Sequence, residues 1–216
     1  MPRLYVSNKD ESVRLFNSDF LDKFTRVHWT VPMILYLPVV GACLYLAVDE
    51  GVVTVANGML LFVTGLVGWT LTEYLMHRFI FHYEPRSEWG KKLHFFAHGV
   101  HHDYPNDSKR LVLPPSVSIP LAFFFYYLFR LIFGPFFLMP YYAGFILGYV
   151  FYDTIHYATH HLPMKGKIGL FLKQYHILHH YQDFTLGFGV SSPLWDHIFG
   201  TVNVRERKAE AKSIQA

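Results

Sequence analysis

The sequence predicts an all-α integral membrane protein, with four transmembrane helices in two hairpins and a helical, histidine-rich cytosolic cap. Three observations carry this. The composition is 52% hydrophobic and 19% aromatic with only 16% charge, too apolar for an ordinary soluble domain. Four long hydrophobic runs can cross a bilayer. Twelve of the 14 histidines fall within residues 77–102 and 156–180, each cluster beginning where a hydrophobic run ends.

At 216 residues the length suits one domain. Its expected organisation is a cytosolic N-terminal segment (1–29), a membrane domain (30–202) and a basic C-terminal tail (203–216). Residues 1–29 are polar and resemble neither a signal peptide nor a folded domain. Val31–Val48 carries no charge over 18 residues. Asp49-Glu50-Gly51 reads as a tight turn, and Val52–Leu71 is again uncharged. The polar stretch 78–110 follows. Pro114 and Pro115 restart a helix that spans from about Val117 to Phe133. Gly134-Pro135 is the second hairpin turn, and Phe136–Tyr152 is the fourth span. The single cysteine, Cys43, excludes a disulfide framework and reads as a small packing residue.

Charge sets the sidedness. Of the 19 Lys and Arg, five lie in 1–29, six in 78–110 and seven after residue 157; the remaining one is Arg130, and neither hairpin turn carries any. The positive-inside rule places both termini and both histidine clusters in the cytoplasm. No nucleic-acid partner is expected.

The two clusters share one design. His77-x4-His82 precedes His98-x2-His101-His102, and His156-x3-His160 precedes His176-x2-His179-His180. Residues at i, i+3 and i+4 lie on one helix face. His77 and His82 are about 140° apart on an ideal helix, so that pair needs a helix end or a bend. Neutral imidazole is the commonest metal ligand. Ten histidines exceed the four ligands of a structural zinc and suit two ions with about five each. Transporters place ionisable groups at mid-membrane, whereas these fall at span ends and beyond, which argues against a metal carrier. His28 and His197 lie outside the pattern and are expected to be structural. His94 and His161 are expected to support or flank the site.

These residues resemble the fatty acid hydroxylase / sterol desaturase superfamily, most closely its fatty acid 2-hydroxylases. The stretches that carry the resemblance are Glu73–His82, His98–Pro105, Arg110–Pro115, Tyr152–Tyr157, Tyr175–Tyr181, Leu186–Val190, Trp195-Asp196 and Phe199–Thr201. The resemblance implies that His77, His82, His98, His101, His102, His156, His160, His176, His179 and His180 hold two metal ions. Iron is the expected working metal and zinc is also accommodated. It implies insertion of one oxygen atom at C2 of a fatty acyl chain, using O2 and two electrons. Superfamily relatives that act on sterols or carotenoids mark the alternative substrates.

Eukaryotic members carry an N-terminal cytochrome b5 domain with a His-Pro-Gly-Gly motif, which is absent here. Electrons are therefore expected from a separate cytochrome b5-like protein, ferredoxin or reductase. A bacterial inner membrane is favoured over the endoplasmic reticulum. An acyl substrate is expected to lie among membrane lipids between the spans. The aromatic run Phe123–Tyr127 is expected mainly to face lipid. Metal-bound histidines usually donate their other N–H to a carboxylate or carbonyl. Glu73, Asp153, Asp103 and Asp183 are the carboxylates placed for this. Tyr152 and Tyr157 flank a ligand pair and are expected near the substrate head.

Overall fold

The computed structural model describes residues 4–49 and 53–203. The predicted turn at Glu50 and Gly51 and the tail from 204 onward lie outside the described residues. The chain is helical, with no strand among the described residues. In order, its helices are α1 (Asp19–Lys23), α2 (Val31–Asp49), α3 (Val55–Met76), α4 (Glu88–His94), α5 (Val100–Asp103), α6 (Pro115–His161), α7 (Gly166–Tyr181) and α8 (Leu194–Phe199). The described residues fold as two compact units, one of residues 13–49, 53–72 and 109–154, the other of residues 4–12, 73–108 and 155–203.

Three segments are long and apolar enough to cross a membrane: Val31–Asp49, Val55–Phe81 and Pro115–Pro135. Each leaves most of its surface unburied, at 22%, 11% and 11% buried. That suits helices whose outer faces meet lipid rather than a protein core. Proline at the first position of α6 costs no hydrogen bond there. Gly134 then breaks α6 at φ 69°, ψ 176°, at the predicted Gly134-Pro135 turn. The fourth expected span, Phe136–Tyr152, is not among the three. Pro140, Tyr141, Tyr142, Tyr149 and Tyr152 make it less apolar. It is also the buried element of its unit, with Leu138, Ala143, Phe145, Ile146, Tyr149 and Val150 all in the core.

Close backbone packing explains two glycines of this unit. A Cβ on Gly144 would stand 2.0 Å from the Phe62 carbonyl oxygen, and one on Gly65 would stand 2.1 Å from that of Tyr141. Small residues that let helix backbones touch are the usual interface of membrane helices. Trp69 caps this contact edge-on against Phe145, with ring centroids 5.2 Å apart. Phe123, Phe124 and Tyr127 are exposed, as expected of lipid-facing rings, while Phe125 packs on Phe129 and Phe145. Cys43 is buried. Arg110 of the Arg-Leu-Val-Leu-Pro-Pro stretch donates to the Val13 carbonyl at 2.6 Å and to Thr25 at 3.2 Å. It thereby ties residues 13–25 to the start of the second half of the unit.

The second unit contains every clustered histidine. Two π-helical turns, His77–Phe81 and Phe95–Gly99, interrupt its helices. Residues 4–12 run as an extended strap across this unit. Val6 and Ser7 donate to the Asp103 carbonyl. Asn8 accepts from Asn106 at 3.0 Å and from the Tyr181 hydroxyl at 2.5 Å, so one strap residue joins the chain just beyond each histidine triplet.

Candidate metal centre

The bend required by the His77–His82 spacing is the first π turn. The His82 N–H bonds to the His77 carbonyl at 3.1 Å, an i→i+5 bond that brings both rings to one side. Such single π turns occur frequently at functional sites. The second π turn leads into α5, which carries His101 and His102. In α7 the spacing is that of a regular helix.

The ten histidines gather into two groups of five. One holds His77, His82, His98, His102 and His179; the other holds His101, His156, His160, His176 and His180. Within each group the donor atoms all lie within 4.8 Å of one another. The grouping crosses the sequence clusters, because each triplet gives its middle histidine to the other group. In the first group Nε2 of His77 lies 3.1 Å from that of His98, and Nε2 of His82 lies 3.1 Å from that of His179. In the second, Nε2 of His156 lies 2.9 Å from that of His101, and His160 and His176 approach equally closely.

This donor set fits a cation. Nδ1 of His77 lies 2.6 Å from the Phe188 carbonyl, and Nδ1 of His179 lies 2.8 Å from the Leu186 carbonyl. A carbonyl only accepts, so both rings carry their proton on Nδ1 and turn a bare Nε2 lone pair inward. With bonds of about 2.1 Å, donors about 3.0 Å apart subtend roughly 90° at a common ion, whereas a tetrahedral site needs about 3.4 Å. The spacing therefore suits an ion with five or more ligands rather than a closed four-coordinate zinc.

Burial keeps the rings neutral. It is the largest cause lowering His98, His101, His160, His176 and His180 well below the usual imidazole range, and the neighbouring imidazoles push the same way. His102 and His179 are lowered to about 3, again mainly by burial. Neutral imidazole is the form that binds metal. Aromatic rings wall the first group. Phe81 stacks on His98 at 5.1 Å, Phe184 on His82 at 6.1 Å, and Phe188 stands edge-on to His77 at 5.8 Å.

The remaining site expectations divide. Glu73 is buried and joins neither group. Its Oε1 accepts from the Val190 and Ser191 N–H groups at 2.6 and 2.9 Å, and its Oε2 accepts from the Ser191 hydroxyl. His94 donates to the Phe81 carbonyl at 2.6 Å and joins neither group. His161 stacks on Tyr157 at 5.0 Å. Asp153 and Tyr152 belong to the other unit, Tyr152 against Trp69. Asp103 receives the strap through its carbonyl, and Asp183 caps a turn through Thr185. His28 and His197 are exposed and outside both groups.

The loop 186–192 and the carboxylate beneath it were not singled out from the sequence as partners of the histidines. Asp196, fully buried, accepts from Phe188 N–H at 2.9 Å, Gly189 N–H at 2.8 Å and the Thr201 hydroxyl at 2.7 Å. The available signal was the pair of glycines, Gly187 and Gly189. The first sits at φ 74°, and the second has no room for a side chain.

Residues 62–201 match the family model described as fatty acid hydroxylase. The chain is 38% identical over 192 residues to a dihydroceramide fatty acyl 2-hydroxylase of Arabidopsis thaliana, an alignment covering 89% of this chain and 81% of that protein. It is 37% identical over 213 residues to a fatty acid 2-hydroxylase of Rattus norvegicus, covering 88% of this chain and 56% of the relative. A solved structure described as full-length scs7p, with only the hydroxylase domain visible, superposes with a TM-score of 0.81 at 37% identity. That match covers 86% of this chain and 70% of the other.

Proposed function

The chain belongs to the fatty acid hydroxylase family, and from that premise we propose that it is a membrane di-metal monooxygenase that hydroxylates fatty acyl chains at C2. The observation that carries the reading is the gathering of ten histidines into two groups of five. The names of the relatives, acyl 2-hydroxylases and a dihydroceramide acyl 2-hydroxylase, supply the substrate class. In this reading the ten histidines are the metal ligands, and iron is the working metal.

Two redox-active ions held there would supply activation of O2, with one oxygen atom going to C2 and the other to water, using two electrons from an electron donor and two protons from solvent. The protein's own part is positional. The bare Nε2 atoms of His77 and His179 bind. The carbonyls of Phe188 and Leu186 fix the tautomer and plane of those rings. Phe81, Phe184 and Phe188 exclude water from one face of the first group, which guards a reactive centre from side reactions. Glu73 and His94 act on the site through the loop and the π turn that they hold. Tyr157 and His161 are placed as a flanking pair.

The membrane reading includes Phe136–Tyr152 as a fourth, protein-packed span, which completes two hairpins. It also includes a membrane domain over 30–202, with both histidine groups on the cytoplasmic face. The Lys and Arg distribution supports that orientation. The relatives named above are eukaryotic and lend no support to a bacterial inner membrane.

The test is lipid mass spectrometry of cells expressing the chain with an electron donor, set against cells expressing His101→Ala. A rise in 2-hydroxylated acyl chains, free or amide-linked, is expected only with the unaltered chain. Hydroxylated sterols with unaltered acyl chains would reject the substrate assignment.

A further inference from the structure

The loop 186–192 is gripped from two sides. Asp196 holds the N–H groups of Phe188 and Gly189, and Glu73 holds those of Val190 and Ser191. Gly187 adds a bond to the Thr201 carbonyl at 2.8 Å, and Thr201 is itself bound to Asp196. Four successive N–H groups thus point into two buried carboxylates. The carbonyls of Leu186 and Phe188 are left to face the histidines. They receive His179 and His77, and both of these belong to the first group. The second group is built differently. The buried Nδ1 atoms of its His160, His176 and His180 have no protein hydrogen-bond partner.

We infer that Glu73 and Asp196 are positioning residues for the first group alone, setting its affinity for its ion through the loop. The inference rests on the reading that each group holds one ion. A carbonyl that receives Nδ1–H fixes which nitrogen faces the metal and at what angle. Partners of this kind typically change metal affinity by about 10- to 100-fold when removed. Neither carboxylate is hydrogen-bonded to an imidazole; residues 186–191 link them to the rings of His77 and His179. Because His77 and His179 come from distant parts of the chain, one loop registers two elements at a single ion. In the second group, His160, His176 and His180 have no Nδ1 bond through which the loop could act.

The test uses the purified full chain in detergent, loaded with zinc and challenged with rising chelator, with metal content read by elemental analysis. The unaltered chain is expected to hold two equivalents. Glu73→Gln keeps the shape of the side chain but turns one acceptor into an amide donor facing Ser191. Asp196→Asn sets an amide donor against the loop N–H groups. Each variant is expected to release one equivalent at about 10- to 100-fold lower chelator, with the other equivalent unmoved. Adding His160→Ala to either variant should then loosen the remaining equivalent, assigning it to the second group. Equal loosening of both equivalents, or of neither, in a variant with native helical circular dichroism would overturn the inference. If Asp196→Asn loses that helical signal, Glu73→Gln decides on the same criterion. Fewer than two equivalents in the unaltered chain would instead overturn the two-ion reading beneath it.

Discussion

Gly189 is the residue at which a single methyl group should reach the metal centre. A Cβ built there stands 2.1 Å from the Ser192 carbonyl oxygen and 2.9 Å from Asp196 Oδ2. Ordinary contact distances are about 3.5 Å, so the backbone must move by roughly 1 Å or more. Two costs follow. Overpacking of this kind typically costs about 1–3 kcal/mol. Pulling the Gly189 N–H from the Asp196 carboxylate costs about 1.5–3 kcal/mol, the range for a hydrogen bond to a charged group. Together they come to about 2.5–6 kcal/mol, a large share of the roughly 5–15 kcal/mol by which folded proteins are stable. The same displacement stretches the 2.6 Å contact between His77 and the Phe188 carbonyl beyond hydrogen-bonding length. The assay is thermal unfolding of the detergent-solubilised chain together with its yield of 2-hydroxylated acyl chains. At about 2–4 °C per kcal/mol for a chain of this size, Gly189→Ala should lower the midpoint by on the order of 10 °C and abolish product. Gly41→Ala is the control. Nothing lies within 4 Å of its added methyl, and alanine is the better helix former by about 0.5–1 kcal/mol. A Gly189→Ala midpoint equal to that of Gly41→Ala, with product intact, would refute the crowding argument.

Two further outcomes follow from the site. His101→Ala should weaken the ion held with His156, and His179→Ala the ion held with His77; combining each with a second ligand loss from its own spatial group, and reading metal equivalents, checks the crossed partition. Acid should destabilise the protein. Burial lowers His102 and His179 to about 3 in the folded state, so between about pH 6.5 and 3 the unfolded chain takes up protons that the folded chain refuses. Stability is therefore expected to be intact above the unfolded imidazole range and to fall as pH drops through it, read as the denaturation midpoint against pH with metal removed. A midpoint that rises on acidification would contradict neutral buried rings.

Much of this molecule is legible in its sequence because burial and ligation leave chemical signatures at fixed spacing. The three apolar helices follow from long hydrophobic runs, and all ten histidines of the two groups follow from their repeated spacing. The fourth helix is less legible because a helix packed by protein can carry tyrosines, as Tyr142 and Tyr149 show, and so loses the apolar signature of a lipid-facing one. The π turn at His77–Phe81 has no residue code of its own; only the five-residue spacing requires something other than an α-helix. The grip on residues 186–191 is made by backbone N–H groups, which every residue type supplies, so only the two glycines and the distant Glu73 and Asp196 mark it.

The crossing of the groups is of a different kind, since helix geometry favours it. At about 100° per residue, His176 and His180 of α7 lie about 40° apart around the axis, while His179 lies about 60° from His176 and about 100° from His180. The three rings share one face, with His179 at its edge on the side away from His180. A triplet of the form His-x2-His-His can therefore serve two points in space, with the ring at i+3 the one given away. α7 gives His179 to the group of His77 and His82. The first triplet returns His101 to that of His156 and His160. Each group then draws on both halves of the sequence repeat. Neither half supplies more than four histidines to one group, so the fifth joins only when the two halves fold together.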